Sequence, residues 1–247
     1  MTNVLASHGG PAPGRTQKTS ERIAFEIIRD VVLGGLVAGD KLPAEPEMAE
    51  RYGTSRSSLR EAIRILEVQG LIRLRPGPGG GTTLGSVDAS NLARTSALYF
   101  QLSGATYAQL LDVQLILETG CAAAAARHPD RAEPLARFLT TADPTDEIAY
   151  RTETEHFHDV VYRLAANPVL SLYARAINHL LTTQVVSTMD PVVLRPAIQR
   201  EHVQMAKALI SGNADRAARL MRAHFDRQHE HYRTNHPSRL VEIVQWR

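Results

Sequence analysis

The sequence predicts a mainly α-helical chain in two domains: an N-terminal winged helix-turn-helix of three helices and a β-hairpin wing, and a C-terminal all-α bundle of about seven helices. Three observations lead there. The chain has 247 residues, more than one ordinary core organises, since domains commonly hold about 100–150. Apolar residues recur at helical spacing over most of its length. The alternating stretch Leu71-Ile72-Arg73-Leu74-Arg75 runs into Pro76-Gly77-Pro78-Gly79-Gly80-Gly81 and then Thr82-Thr83-Leu84, which spells strand, turn and returning strand.

Each element follows in order. Residues 1–18, with Gly9-Gly10-Pro11 and Pro13-Gly14, predict a disordered tail, and they lack the apolar run of a signal peptide. From Glu21, the residues Ile23, Ile27, Ile28, Val31 and Val32 trace a first helix that ends before Gly34-Gly35. Glu45 to Tyr52 forms a second, carrying Met48 and Ala49 and stopped by Gly53. The third presents Leu59, Ala62, Ile63 and Leu66, with Thr54 or Ser55 as its cap and Ser58-x-x-Glu61 as a second possible start. With the hairpin these fill a domain at 19–84, and residues 85–90 read as a linker. Helical patterns then recur at roughly 91–102, 106–127, 131–140, 146–166, 169–187, 195–210 and 214–232, broken at Gly104, Pro129, Asp143-Pro144, Asn167-Pro168, Asp190-Pro191 and Ser211-Gly212-Asn213. The second domain is thus placed at 91–235, followed by a C-terminal tail at 236–247.

Composition narrows the class. Apolar residues make up 43% and charged residues 22%, a globular balance, and no apolar run reaches the ~18–20 residues of a membrane span. Cys121 stands alone, so there is no intrachain disulfide, and the expected compartment is the cytoplasm. A net charge of +2 announces no partner. Its distribution does: residues 55–84 hold Arg56, Arg60, Arg64, Arg73 and Arg75 against Glu61 and Glu67.

In a helix-turn-helix the third helix offers its N-terminal residues to the DNA major groove. Here those are Ser55, Arg56, Ser57, Ser58 and Arg60, with the two arginines one helical turn apart. Arginine can hydrogen-bond guanine O6 and N7 with two donors, and hydroxyls suit phosphates or base edges. Lys41-Leu42-Pro43-Ala44-Glu45, Met48-Ala49, Gly53, Ser55-Arg56, Leu59-Arg60-Glu61-Ala62, Leu66 and Gly70-Leu71-Ile72 together resemble the GntR family of bacterial transcriptional regulators. The resemblance covers about Thr19 to Leu84. It implies Arg56 and Arg60 as the main DNA contacts, assisted by Ser55, Ser57, Ser58 and the wing glycines Gly79, Gly80 and Gly81. Where the family commonly has an arginine after Pro-x-Glu, this chain has Pro46, so the usual operator sequence is in question.

The helical domain resembles the FadR-type ligand-binding domain of the same family, on Leu117-Glu118 within Asp112 to Arg127, Phe157-His158 followed by Asn167-Pro168, Glu201-His202, and Met221 followed by His224. Periodicity bears on the histidines independently. His158 shares a face with Val161, Tyr162 and Ala165; His202 with Ile198, Met205, Ala206 and Leu209; His224 with Ala217, Leu220 and Met221. If the last two long helices form a hairpin turning at Gly212, His202 and His224 lie nearly level. Three neutral imidazoles facing one cavity suit Zn²⁺, Ni²⁺ or a similar ion. Core packing is the other reading of inward histidines. In metal-containing relatives an aspartate four residues before the first histidine completes the site, whereas here that position is Thr154, and Glu153 and Glu155 lie about 100° off that face. Gln114 stands where such relatives often carry an arginine for a ligand carboxylate. Gln114 and Glu118 are one turn apart and, with Thr154, are candidate effector contacts, although Glu118 equally suits a helix–helix hydrogen bond. His156, His179, His229 and His231 read as surface or packing residues.

The expected function is that of a homodimeric transcription factor, a repressor, which binds a short inverted repeat in double-stranded DNA and answers to a small effector, an organic acid or an acyl-CoA. The linker and the helix at 91–102 are where coupling between the two domains is expected to pass. Two other classes compete: a metal-dependent hydrolase using the three histidines, and a constitutive DNA-binding protein whose helical domain is structural. The sequence shows no H-E-x-x-H or comparable arrangement with a positioned general base, which weighs against the hydrolase.

Overall fold

The computed structural model describes residues 18–75, 77, 80–86, 89–141, 145–187 and 191–246. Residues 1–17 of the predicted tail, Gly79 of the predicted wing contacts, and the breaks at Asp143-Pro144 and Asp190 lie outside them. The chain divides into two compact units, residues 1–87 and 88–247.

The first unit holds α1 (Thr19–Leu33), α2 (Glu45–Arg51), α3 (Arg56–Val68), β1 (Ile72–Arg75) and β2 (Gly81–Leu84). Pro46 lies in the first turn of α2, where its missing N–H leaves no intrahelical bond unmade. Ser55 is the residue that caps α3, its side chain accepting from the Ser58 amide at 3.2 Å. Ile23, Ile27, Met48, Leu59, Ile63, Leu66 and Ile72 close the core, which turns the opposite face of α3 outward. The two strands pair antiparallel with Ile72 opposite Leu84 and Arg75 opposite Gly81, and Lys41 adds an isolated bridge to Thr83. At Gly80 a Cβ would fall 2.1 Å from the Arg75 carbonyl oxygen, so the wing closes there only with glycine.

The second unit is all-α among its described residues: α4 (Ala89–Ser103), α5 (Tyr107–Ala125), α6 (Ala132–Ala136), α7 (Glu147–Leu164), α8 (Pro168–Leu181), α9 (Arg195–Ile210), α10 (Ala214–Asn235) and α11 (Pro237–Leu240). Side chains cap several starts: Asp146 begins α7, Asn167 begins α8 and Asn213 begins α10. The middle helix is α5, packed on α7, α8 and α10, and α9 pairs with α10 as a hairpin. One apolar cluster joins Cys121, Phe138, Phe157, Val161, Met205, Leu209 and Met221; a second joins Ala93, Tyr107, Leu111, Leu180, Val185, Tyr232 and Val244.

Several sequence expectations are corrected here. The linker is shorter than 85–90, because α4 already begins at Ala89. The helix expected at 131–140 is the five residues of α6 followed by a 3-10 turn at Arg137–Leu139. The helix expected to reach 187 changes at Thr182–Val186 into a π-helical turn, a local widening often found at binding sites. Residues 236–246 are not a loose tail. They form α11 and then an extended stretch that bridges Thr106 through Ile243, burying Leu240 and Val244.

Candidate functional site

In the first unit the exposed side of α3 carries Arg56, Arg60 and Arg64 at successive turns, opposite Leu59, Ala62, Ile63 and Leu66. Ser55 and Ser57 are also exposed and Ser58 half-buried. The three hydroxyls form a local cluster, Ser55 Oγ lying 2.9 Å from Ser57 Oγ and 3.0 Å from Ser58 Oγ. Arg60 donates from Nε to Glu45 Oε2 at 2.9 Å, so the first turn of α2 holds the recognition-helix arginine at its inner nitrogen. Gly80 lies in the wing turn, at the far end of the hairpin from Leu84.

In the second unit three helices deliver three histidines to one point. His158 comes from α7, His202 from α9 and His224 from α10, all buried, and one ligand nitrogen from each lies within 4.8 Å of the other two. The ring centroids of His202 and His224 are 5.0 Å apart, the level placement that a hairpin about Gly212 predicts. Phe157 stacks on the His202 ring with centroids 4.3 Å apart and fixes its plane.

A carboxylate stands behind two of the rings. His158 Nδ1 lies 3.3 Å from Glu118 Oε2, while Tyr162 donates its hydroxyl to the other oxygen of Glu118. His224 Nδ1 lies 2.8 Å from Glu201 Oε2, and Arg227 donates from Nε to Glu201 Oε1 at 2.6 Å. A carboxylate accepts, so each histidine donates from Nδ1 and its Nε2 carries the lone pair. At His224 that Nε2 accepts from the Gln228 amide at 2.7 Å. At His202 the Nε2 is buried without a partner among the described residues.

Burial favours the neutral form of His202 and His224. Burial, and then the neighbouring His224 and His158, push His202 well below the ordinary histidine value. Burial also lowers His224, against the opposing pull of Glu201. Glu201 is raised by burial, but its bonds to His224 and Arg227 prevail and hold it below the ordinary carboxylate range. Burial and then Glu118 raise the Tyr162 hydroxyl well above its usual value, so it remains a donor. The same two causes push the Cys121 thiol up to about 12, which makes it an inert core residue.

Beside the histidines lies a cavity of about 100 Å³. His158 and His224 line it, together with Gln114 and Thr154, two of the predicted effector contacts. Glu118 does not: its bonds to His158 and Tyr162 place it behind the ring, in the helix–helix role. Glu155 reaches the cavity wall despite its offset on α7, as an exposed residue. His229, expected at the surface or in packing, is 1% exposed and also lines the cavity. Its signal was present in the sequence: Phe225, His229 and Tyr232 share one stripe of α10 at offsets of four and three. Thr182, Val185 and Val186 of the π-helical turn complete part of the same wall.

The sequence of residues 19–82 matches the family of bacterial regulatory proteins named gntR, and residues 109–227 match the FCD domain. An uncharacterized HTH-type transcriptional regulator of Mycobacterium tuberculosis is 31% identical over 170 residues, covering 68% of this chain and 70% of the relative. The chain belongs to the GntR family. Other relatives of this GntR regulator include the Glc operon transcriptional activator of Escherichia coli, 26% identical over 83% of this chain and 85% of that protein. LutR, an HTH-type transcriptional regulator of Bacillus subtilis, is 25% identical over 77% of this chain and 90% of its own length. A Streptococcus agalactiae GntR structure shares the fold, with a TM-score of 0.63, 21% identity, and coverage of 85% of this chain and 99% of that one. This GntR protein is therefore a DNA-binding transcriptional regulator with an FCD ligand-binding domain and not an enzyme. No helix among its described residues is long and apolar enough to cross a membrane.

Proposed function

We propose that this GntR protein is a homodimeric repressor that binds an inverted repeat in double-stranded DNA and is released or retained by a small organic acid, with a Zn²⁺ or Ni²⁺ ion held by His158, His202 and His224. The observation that carries the metal reading is the meeting of three buried imidazoles, two of them braced by carboxylates and the third with an unpartnered Nε2. The donor set fits such an ion, and Glu118 and Glu201 supply negative charge close behind the rings. When bound, the ion supplies a Lewis-acidic position for an anionic ligand.

The chain's own groups do the rest. Glu118 and Glu201 fix the tautomers, Phe157 and the surrounding apolar cluster exclude water, and Gln228 gives up its bond to His224 when another partner takes that nitrogen. A threonine at 154, where the family's metal-containing members place aspartate, makes this a three-histidine set and leaves more of the ion to water or ligand. A cavity of about 100 Å³ suits a ligand of a few heavy atoms and not an acyl-CoA. Arg56 and Arg60 meet base edges, with the serines and the Gly79 to Gly81 wing on the backbone. Two copies read two half-sites, because one recognition helix spans only a few base pairs. The effector acts only as far as it binds the DNA-free and DNA-bound states unequally.

The test is elemental analysis of protein purified without a histidine tag, beside His158→Ala, His202→Ala and His224→Ala. About one metal per chain, lost in all three variants, is expected. A wild-type chain that takes up neither zinc nor nickel would overturn the metal reading.

A further inference from the structure

About one turn along α5 from the residue that braces His158, a different set of polar groups crosses the cavity wall. Gln114 Nε2 donates to Asn178 Oδ1 at 3.2 Å, and Gln114 Oε1 accepts from His229 Nε2 at 3.1 Å. The three residues come from α5, α8 and α10, and all three line the cavity. Gln114 is 7% exposed and His229 1%, and the Nδ1 of His229 is buried without a partner among the described residues. A purely structural wall gains nothing from a buried nitrogen left unbonded, since apolar residues of the same shape would pack without the desolvation cost. The unpaired atom and the cavity beside it point to a missing partner.

The chemistry of the wall defines that partner. Burial, with smaller contributions from Arg233 and His224, lowers His229 to about 4, so the ring is neutral at pH 7. Amides carry no charge either. The three residues thus have hydrogen-bonding capacity of both kinds and carry no charge, and the cation that acts on His229, Arg233, is already paired with Asp112 at 3.5 Å. Turning the Gln114 and Asn178 amides over together reverses the chain of bonds and switches the His229 tautomer, so the wall can meet a donor or an acceptor. Among the described cavity residues the arginine is Arg151, on α7, whose guanidinium lies 3.8 Å from Glu147.

We infer that Gln114, Asn178 and His229 form a subsite for an uncharged polar group of the effector, a hydroxyl or a carboxamide, and that this subsite rejects a second carboxylate. The inference rests on the reading of the cavity as the effector site, with the ligand's acid group toward the three histidines. A second carboxylate on this wall would lose its water and receive only neutral donors in return.

A matched three-carbon panel tests it: propionate, 3-hydroxypropionate, malonamate and malonate, titrated calorimetrically into the full chain with and without zinc. 3-Hydroxypropionate and malonamate are expected to bind at least tenfold more tightly than propionate and malonate. Gln114→Arg should reverse the order in favour of malonate at unchanged zinc content, a reversal that a packing defect would not produce. Asn178→Ala should narrow the gap between 3-hydroxypropionate and propionate, and it serves where His229→Phe fails to fold. Equal or tighter binding of malonate by the wild type, no discrimination, or no binding of any member overturns the subsite. Zinc content is read separately. A chain that takes up no metal yet keeps the order sinks the metal reading and leaves the subsite standing, and a zinc-loaded chain without discrimination does the reverse.

Discussion

The Nδ1 of His224 lies 2.8 Å from Glu201 Oε2, and the other oxygen of that carboxylate is held by Arg227 at 2.6 Å. The arrangement orients the ring and raises the electron density at Nε2. Glu201→Gln keeps the size and one acceptor but removes the charge. Zinc affinity should fall about tenfold to a hundredfold, measured by competition with a chromogenic chelator. Unchanged affinity would mean that the carboxylate only ties α9 to α10.

Arg56→Ala and Arg60→Ala should each weaken binding to a duplex selected from a random library, roughly fivefold to a hundredfold. Fluorescence anisotropy at fixed salt reads this. If the loss is uniform across sequences and only the salt slope changes, the arginine touches phosphate and not a base edge.

His229 makes stability depend on pH. Its folded value, about 4, lies below the 6.5 of the free side chain. Between those values the unfolded chain takes a proton that the folded chain refuses. Stability is therefore full above pH 6.5 and declines as pH falls toward 4. For this group alone the loss between pH 7.5 and pH 5 comes to about 2 kcal/mol. Buried His202 and His224 act in the same direction. Urea unfolding of zinc-free protein at the two pH values should show the decline, and His229→Gln should reduce it. An identical decline in that variant would assign the whole effect to the other histidines.

Ending the chain at Leu240 removes Val244, which is fully buried, and the Gln245 backbone oxygen that accepts from Gln184 at 2.9 Å. It also uncovers Tyr107. Burial of one aliphatic side chain contributes about 1.5–3 kcal/mol, and in a domain of this size each kcal/mol shifts the midpoint about 2–4 °C. The shortened protein should melt about 5–10 °C lower by circular dichroism. An unchanged midpoint would show that the segment adds nothing to the fold.

The helices with strong caps and long apolar faces could be read from the sequence because both signals are local. Asn213 and Gly212 announced the turn between α9 and α10, and that turn in turn placed His202 level with His224. The wing was readable for the same reason: a glycine cluster between two short β-like runs has few other uses. What escaped depends on distant partners. Glu118 faces inward, as its spacing says, but only the docking of α7 decides that it meets His158 and Tyr162 and not the cavity. Leu240 and Val244 are too few to make a periodic pattern, so their burial could not be seen before α5 was in place. The π-helical turn at Thr182–Val186 has no residue signature at all. His229 is a different case: its place on the inner stripe of α10 follows from its spacing to Phe225 and Tyr232 and not from its spacing to the other histidines.

The three histidines are far apart along the chain, with 44 residues from His158 to His202 and 22 more to His224. Such a constellation cannot exist until α7 has docked on the hairpin of α9 and α10, and closing loops of that length is slow compared with winding a helix. An ion added to the unfolded chain finds no preformed site, and so it should join after the rate-limiting step of folding. Interactions absent from the transition state leave the folding rate alone and slow unfolding instead. The centre would then act as a clasp in time: the protein would fold at the same pace with or without zinc, and once loaded would stay folded far longer.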